Sequence, residues 1–180
     1  FGELPMESDT VFDLASLTKV FGTSALALSL IERGWITWDT PVRSILPEFR
    51  HDGIALRELA GHTSGLPAWS PFFERMREIF ATNELERIAV EERQSVMRGL
   101  VFSAELERAP RTKAVYSDLG FLALGFCLEE VTGMALDRAV EHFVWRPMEL
   151  GMAGSRRPYF VRTIEPAFRA RDESVAATED

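Results

Sequence analysis

The stretch that decides the fold is Phe12-Asp13-Leu14-Ala15-Ser16-Leu17-Thr18-Lys19, followed by Val20, Phe21, Ala25, Leu26, Ala27, Leu28, Leu30 and Ile31. The spacing predicts a helix over residues 16–33, stopped by Gly34. Its apolar residues go all the way round, as in a helix buried at the centre of a protein. Two polar side chains stand at its head. Helix positions i and i+3 share a face, with Cβ atoms about 5–6 Å apart, so Lys19 reaches the Ser16 hydroxyl. A serine hydroxyl is a weak nucleophile at neutral pH and needs a base beside it. Burial among apolar side chains disfavours a charged lysine, which leads us to expect a lowered pKa and a neutral base at Lys19. Ser16 would also sit at the positive end of the helix dipole, and its own N–H can donate to an oxyanion. A serine and a lysine three apart also occur by chance in many helices, and a structural lysine that reaches a surface would satisfy the same spacing.

Outward from this helix, Trp35-Ile36-Thr37-Trp38 reads as a short extended piece. Asp39, Thr40 and Pro41 then turn the chain into a short helix over residues 42–46. Residues 54–60 form a helical turn that enters the loop Gly61-His62-Thr63-Ser64-Gly65-Leu66-Pro67. Residues 71–100 read as amphipathic helix with a solvated face carrying Glu74, Arg75, Arg77, Glu78, Glu91, Glu92 and Arg93. Ala109-Pro110-Arg111-Thr112 is a second loop. A second apolar helix covers residues 118–132, with Ser117 or Asp118 as N-cap and Gly133 as stop. A third, over residues 135–144, ends before Pro147. Residues 154–180 are polar and aperiodic, a loop-like tail, and strands are nearly absent. At the head of the second apolar helix stands Tyr116-Ser117-Asp118. A phenol there could relay protons with a lysine, and a short polar side chain two residues on could hold a substrate amide or the lysine. A plain N-cap with a tyrosine packed beneath it is the simpler account of the same three residues.

The 180 residues fit one domain, and 46% hydrophobic with 27% charged residues is ordinary globular composition. A net charge of −8 argues against nucleic acid as a partner, because a phosphate backbone demands a basic face. The single cysteine, Cys127, precludes an intrachain disulfide. It lies in Phe126-Cys127-Leu128 with no basic neighbour, so it reads as a buried inert thiol. No apolar run reaches the ~18 residues of a membrane span, and no signal peptide is visible. The chain opens on Phe1 and closes on Thr178-Glu179-Asp180, which reads as one cut at both ends. His51, His62 and His142 lack zinc-ligand spacing, and neither a phosphate loop nor a Gly-x-Ser-x-Gly elbow occurs. We therefore expect no metal and no cofactor. A Ser-His-Asp triad could be drawn through His62, but we read that histidine as structural.

Four segments in order resemble the β-lactamase and penicillin-binding-protein superfamily, in its class C, D-alanyl-D-alanine carboxypeptidase and esterase branch. Residues 12–19 resemble its first motif, the Ser-x-x-Lys signature. Tyr116-Ser117-Asp118-Leu119-Gly120-Phe121 resembles its second. Leu59-Ala60-Gly61-His62-Thr63-Ser64-Gly65-Leu66-Pro67 resembles the loop after the nucleophile helix. Gly133 and Pro147-Met148-Glu149-Leu150-Gly151-Met152 fall in the family's order, so the resemblance covers about residues 1–153. It implies an α+β β-lactamase/transpeptidase-like fold of which this chain is mostly the helical part, a single partial domain over residues 1–180 with most of the antiparallel sheet missing. It implies a serine hydrolase working through an acyl-enzyme on ester, D-amino-acid peptide or β-lactam carbonyls. Ser16 would be acylated, Lys19 would take its proton, and Tyr116 would act with Lys19 and then protonate the leaving group. Asp118 would face substrate where the commoner pattern has Asn; an ionised Asp only accepts hydrogen bonds, though it could hold a protonated Lys19. The resemblance implies a small-molecule or peptide substrate, no cofactor, and export to the cell envelope as is common among relatives. The family's third motif, a Lys or His with Gly two residues on, is absent from this chain: after Tyr116 only His142 follows, without that glycine. The alternatives are a catalytically silent binding or structural module, an inactive fragment of the enzyme, or an unrelated helical partner-binding domain presenting residues 74–98.

Overall fold

The computed structural model describes residues 14–150, together with the backbone of Val11–Phe12 and Val175–Ala176. The two short segments are strands β1 (Val11–Phe12) and β2 (Val175–Ala176), paired in parallel with Val11 opposite Val175. The expectation of a loop-like tail over residues 154–180 otherwise lies outside the described residues.

The chain enters its first helix through a left-handed residue, Ala15 (φ 41). The N–H groups of Leu17, Thr18 and Lys19 donate to the carbonyls of Leu14, Ala15 and Ser16, closing a tight first turn. A π-helical turn, Lys19–Ser24, widens the helix before it settles into α1 (Ala25–Glu32), and Gly34 (φ 73) ends it. The indole N–H of Trp145 donates to the Phe21 carbonyl at 3.3 Å and ties the widened turn to the far end of the described chain. Leu26, Ala27 and Leu30 are fully buried, whereas Leu17, Val20, Phe21 and Leu28 are more than half exposed. The expected all-round burial is thus met on one face only. The helix packs on α6 (Asp118–Thr132), α7 (Leu136–Val140) and the turn after α7, and its opposite face stays about half exposed.

Two short helices follow, α2 (Val42–Ile45) and α3 (Leu56–Ala60), close to their expected bounds. They are held together by Val42 N–H to the Ile54 carbonyl and Leu56 N–H to the Thr40 carbonyl. At the start of α3 the Glu58 carboxylate accepts from the Ala55 N–H at 2.8 Å. This is half of a capping box, since alanine has no side-chain oxygen to reciprocate. Glu58 is 2% exposed. Its Oε1 accepts from Arg57 Nε at 3.0 Å and Arg111 Nε at 2.9 Å, and Arg111 also donates to the Gly53 carbonyl. The arginines, with the Ala55 N–H, outweigh the burial that would raise the Glu58 pKa, so the carboxyl is held below its ordinary value.

Instead of one helix over residues 71–100, the structure has α4 (Phe72–Phe80), a 3₁₀ turn (Leu85–Arg87) and α5 (Val90–Phe102). Ala81 takes up a left-handed cap (φ 51), Thr82 N–H closes back on the Arg77 carbonyl, and the Thr82 hydroxyl accepts from Glu84 N–H. A left-handed residue that closes bonds of this kind ends a helix.

The centre of the molecule is α6 (Asp118–Thr132), with the bounds expected from the sequence. The Ser117 hydroxyl accepts from Gly120 N–H at 3.1 Å, and Gly133 (φ 64) closes the other end. Leu119, Ala123, Leu124, Cys127 and Leu128 are at most 1% exposed. Burying each such leucine contributes about 1.5–3 kcal/mol. Burial pushes the Cys127 thiol up to about 12, which makes it the inert thiol expected. Helix α7 (Leu136–Val140) runs on into the π turn Glu141–Trp145, and its first N–H, that of Leu136, is capped by the Glu129 carboxylate. Among the described residues no single helix is long and apolar enough to cross a membrane.

Two consequences are measurable. Glu58→Gln should lower stability to urea at pH 7 by about 2 kcal/mol, through loss of charge-assisted hydrogen bonds. Because the folded carboxyl titrates below its ordinary value of 4.5, its contribution is complete above that pH and is lost as pH falls through the folded-state value. The variant should therefore show a shallower decline of stability in acid. Gly65 has φ 84, and a Cβ there would stand 2.2 Å from the Arg108 carbonyl oxygen. Gly65→Ala should cost about 3 kcal/mol or more in the same measurement.

Candidate active site

The site begins where two helix heads meet. Ser16 and Lys19 stand at the head of the first helix, and Tyr116 and Asp118 at the start of α6. Lys19 Nζ donates to Ser16 Oγ at 3.2 Å, as the i, i+3 spacing requires. The same ammonium lies 2.8 Å from Asp118 Oδ1 and 5.0 Å from the centroid of the Tyr116 ring, within cation–π range. All four residues singled out in the sequence therefore converge on one nitrogen. Ser16 and Tyr116 are exposed, so both are open to a small molecule.

The charge state of Lys19 differs from the expectation. Burial pushes its pKa down, but hydrogen bonding to Asp118 and Tyr116, together with the Asp118 charge, outweighs that effect. The amine is held above the ordinary lysine value of 10.5. The lysine side chain is 19% exposed and its partner 41% exposed, so solvent still reaches this ion pair and burial is too incomplete to neutralise it. At neutral pH Lys19 is an ammonium that donates to the serine. Asp118 engages Lys19 directly, the second of the two uses that the sequence left open for an acceptor there.

The seat for α6 is built from the loop over residues 61–67. Val115 N–H donates to the His62 carbonyl at 2.9 Å and Ser117 N–H to His62 Nδ1 at 3.0 Å. The Ser117 hydroxyl donates to the Pro67 carbonyl at 2.6 Å, and Asp118 N–H donates to the Ala68 carbonyl at 2.8 Å. The His62 ring packs against Tyr116 (centroids 4.6 Å apart) and Phe121 (5.0 Å). Sequence reasoning placed His62 in a structural loop and gave no sign that it touches Tyr116. It also gave no sign of the left-handed Ala15 directly before Ser16; a non-glycine residue in that region stores about 1–3 kcal/mol of strain. Among the described residues no group of His, Cys, Asp and Glu has the arrangement to hold a metal ion.

The helical layer with this pair of helix heads is that of the β-lactamase/transpeptidase fold, whose members form a serine hydrolase superfamily. The chain belongs to the Beta-lactamase family, whose model matches residues 1–171. It is 27% identical over 152 residues to a protein of Salmonella gallinarum (strain 287/91 / NCTC 13346) described as "Putative D-alanyl-D-alanine carboxypeptidase". That alignment covers 79% of this chain and 33% of the relative, so the chain spans about a third of its length. Among solved structures, a D-stereospecific amidohydrolase from Streptomyces sp. is 29% identical with TM-score 0.63, covering 80% of this chain and 44% of the other. An octameric penicillin-binding protein homologue from Pyrococcus abyssi shares the fold at 20% identity and TM-score 0.68, covering 96% of this chain and 37% of the other.

Lysine labelled with 13C can be titrated in the full-length protein, with the Lys19 signal assigned by its loss in Lys19→Arg. Lys19 should titrate above 10.5. Asp118→Asn removes the anion that raises it and should move that titration to lower pH.

Proposed function

We propose that the protein carrying this chain is a serine hydrolase that works through an acyl-enzyme at Ser16, on amide or ester carbonyls including those of D-amino-acid peptides and β-lactams. The observation that carries this reading is the triangle at Lys19 Nζ: 3.2 Å to Ser16 Oγ, 2.8 Å to Asp118 Oδ1 and 5.0 Å to the Tyr116 ring. Ser16 Oγ attacks the carbonyl carbon. Its proton passes to the Lys19–Tyr116 pair, and Tyr116 returns a proton to the leaving group. Because Asp118 and Tyr116 keep Lys19 protonated at rest, the ammonium first orients Oγ and offsets the charge that develops on it. It becomes a base only after losing its own proton, so acylation should speed up as pH rises toward the Lys19 pKa. The relatives support an acyl group with D stereochemistry, since one is described as a D-alanyl-D-alanine carboxypeptidase and another as a D-stereospecific amidohydrolase.

A second reading, a catalytically silent module, draws on the Lys19–Asp118 ion pair, which would lock the lysine in its charged form. Labelling separates the two. The full-length protein is treated with a fluorescent fluorophosphonate and with a fluorescent penicillin. Enzyme function predicts a covalent adduct at Ser16 by peptide mass spectrometry, no adduct in Ser16→Ala, and a rate at least about 100-fold lower in Lys19→Ala. Absence of labelling by every such probe establishes the silent module instead.

A further inference from the structure

One titratable side chain beside the site has no role in the chemistry above. His62 has a left-handed backbone (φ 55) that turns both its carbonyl and its ring toward the segment leading into α6. The carbonyl accepts from Val115 N–H, and Nδ1 accepts from Ser117 N–H at 3.0 Å. The ring packs on Tyr116, tilted by 37°, and on Phe121, tilted by 34°. A nitrogen that accepts a hydrogen bond carries no proton, so the ring is a neutral imidazole protonated at Nε2.

We propose that His62 is a positioning residue that, as the neutral imidazole, seats Tyr116 and Asp118 against Lys19, and that it releases them when Nδ1 takes up a proton. This rests on the reading of Ser16, Lys19 and Tyr116 given above and adds a residue that touches no reacting atom. Ser117 is the link. Its N–H meets Nδ1, its hydroxyl caps α6, and its neighbours are the phenol and the carboxylate of the site. A protonated Nδ1 would set one donor against another at 3.0 Å, leaving the Ser117 N–H without an acceptor at the point where α6 is anchored. Packing alone would be served equally well by a phenyl ring. The acceptor and the left-handed backbone are what a phenylalanine could not supply.

The surrounding groups keep His62 neutral at physiological pH. Burial of the ring and then the Lys19 ammonium push its pKa below the ordinary 6.5, while the Asp118 carboxylate acts in the opposite sense. Tyr116 is the third titratable group facing the ring, through its aromatic face. From α3, where the loop begins, Glu58 is occupied by Arg57, Arg111 and the Ala55 N–H. The release therefore falls on the acid side of neutrality.

The test uses the full-length protein with three readouts. First, 15N NMR of the histidine side chains should show His62 Nδ1 unprotonated at neutral pH, with a titration below 6.5 that the Ser117 amide and Tyr116 ring resonances follow. Second, the rate of Ser16 acylation by a fluorophosphonate, followed against pH, should steepen from a one-proton to a two-proton dependence below the His62 pKa. Third, two variants divide the roles. His62→Phe keeps a ring but no acceptor, and should lower the rate about ten-fold or more across the pH range. His62→Asn keeps a short acceptor and tolerates the left-handed backbone, and should recover most of that loss without the acid steepening. A protonated Nδ1 at neutral pH, wild-type rates in His62→Phe, or steepening that persists in His62→Asn would each overturn the proposal. If His62→Phe does not fold, the Asn variant and the NMR titration still decide it. If no probe labels the wild-type protein, the enzyme reading fails by itself. The positioning role is then judged on whether the Tyr116 and Ser117 resonances follow His62; resonances indifferent to it refute it.

Discussion

The site depends on the way the first turn of α6 is sewn to the loop that precedes α4. Four hydrogen bonds, from Val115, Ser117 (backbone and hydroxyl) and Asp118 to His62, Pro67 and Ala68, fix the direction in which that helix leaves the loop. Glycine at position 65 lets the Arg108 carbonyl come within 2.2 Å of where a Cβ would stand, and Glu107 N–H closes on the Gly65 carbonyl. Glu58 and Arg111 brace the same loop from the other side, since Arg111 N–H also donates to the Thr63 carbonyl. Tyr116 and Asp118 are therefore placed by backbone contacts more than by their own side chains.

That placement sets the electrostatics. A lysine entering an apolar helix would be pushed toward neutrality if it stood alone. Here α6 brings a carboxylate to 2.8 Å and an aromatic face to 5.0 Å, and the amine is held as an ammonium instead. The same cation disfavours a second positive charge on His62. The chemistry of the pair at the head of one helix is thus governed by the helix whose head it meets, and neither helix makes a site without the other.

Much of this was legible in the sequence because it depends on local signals. Ser117 and Gly133 bracket α6 as N-cap and left-handed stop, so the bounds of that helix could be read directly. The i, i+3 spacing of Ser16 and Lys19 fixed their contact before any tertiary structure was known. What was not legible depends on partners distant in sequence, or on backbone angles that leave no mark in residue type. The break between α4 and α5 falls at Ala81, and alanine carries none of the glycine or proline signature that usually marks a helix end. The Lys19 charge turns on Asp118, far along the chain. The one-sided burial of Leu26 and Leu30 against the exposure of Phe21 and Leu28 follows from which elements pack on that helix, and its own all-round apolar pattern does not encode them.

The left-handed turn at Ala15 has a consequence for how this sequence can vary. Glycine, or a short side chain such as alanine or asparagine, can take up φ 41 at modest strain, whereas a β-branched or bulky residue cannot. The position before Ser16 therefore acts as a sieve on substitution, set by a dihedral angle and independent of whatever molecule reaches that serine. A lineage that kept the bend would go on excluding valine and isoleucine there, whatever its proteins do. A lineage that lost the bend would be free to accept them, and that substitution would mark the loss.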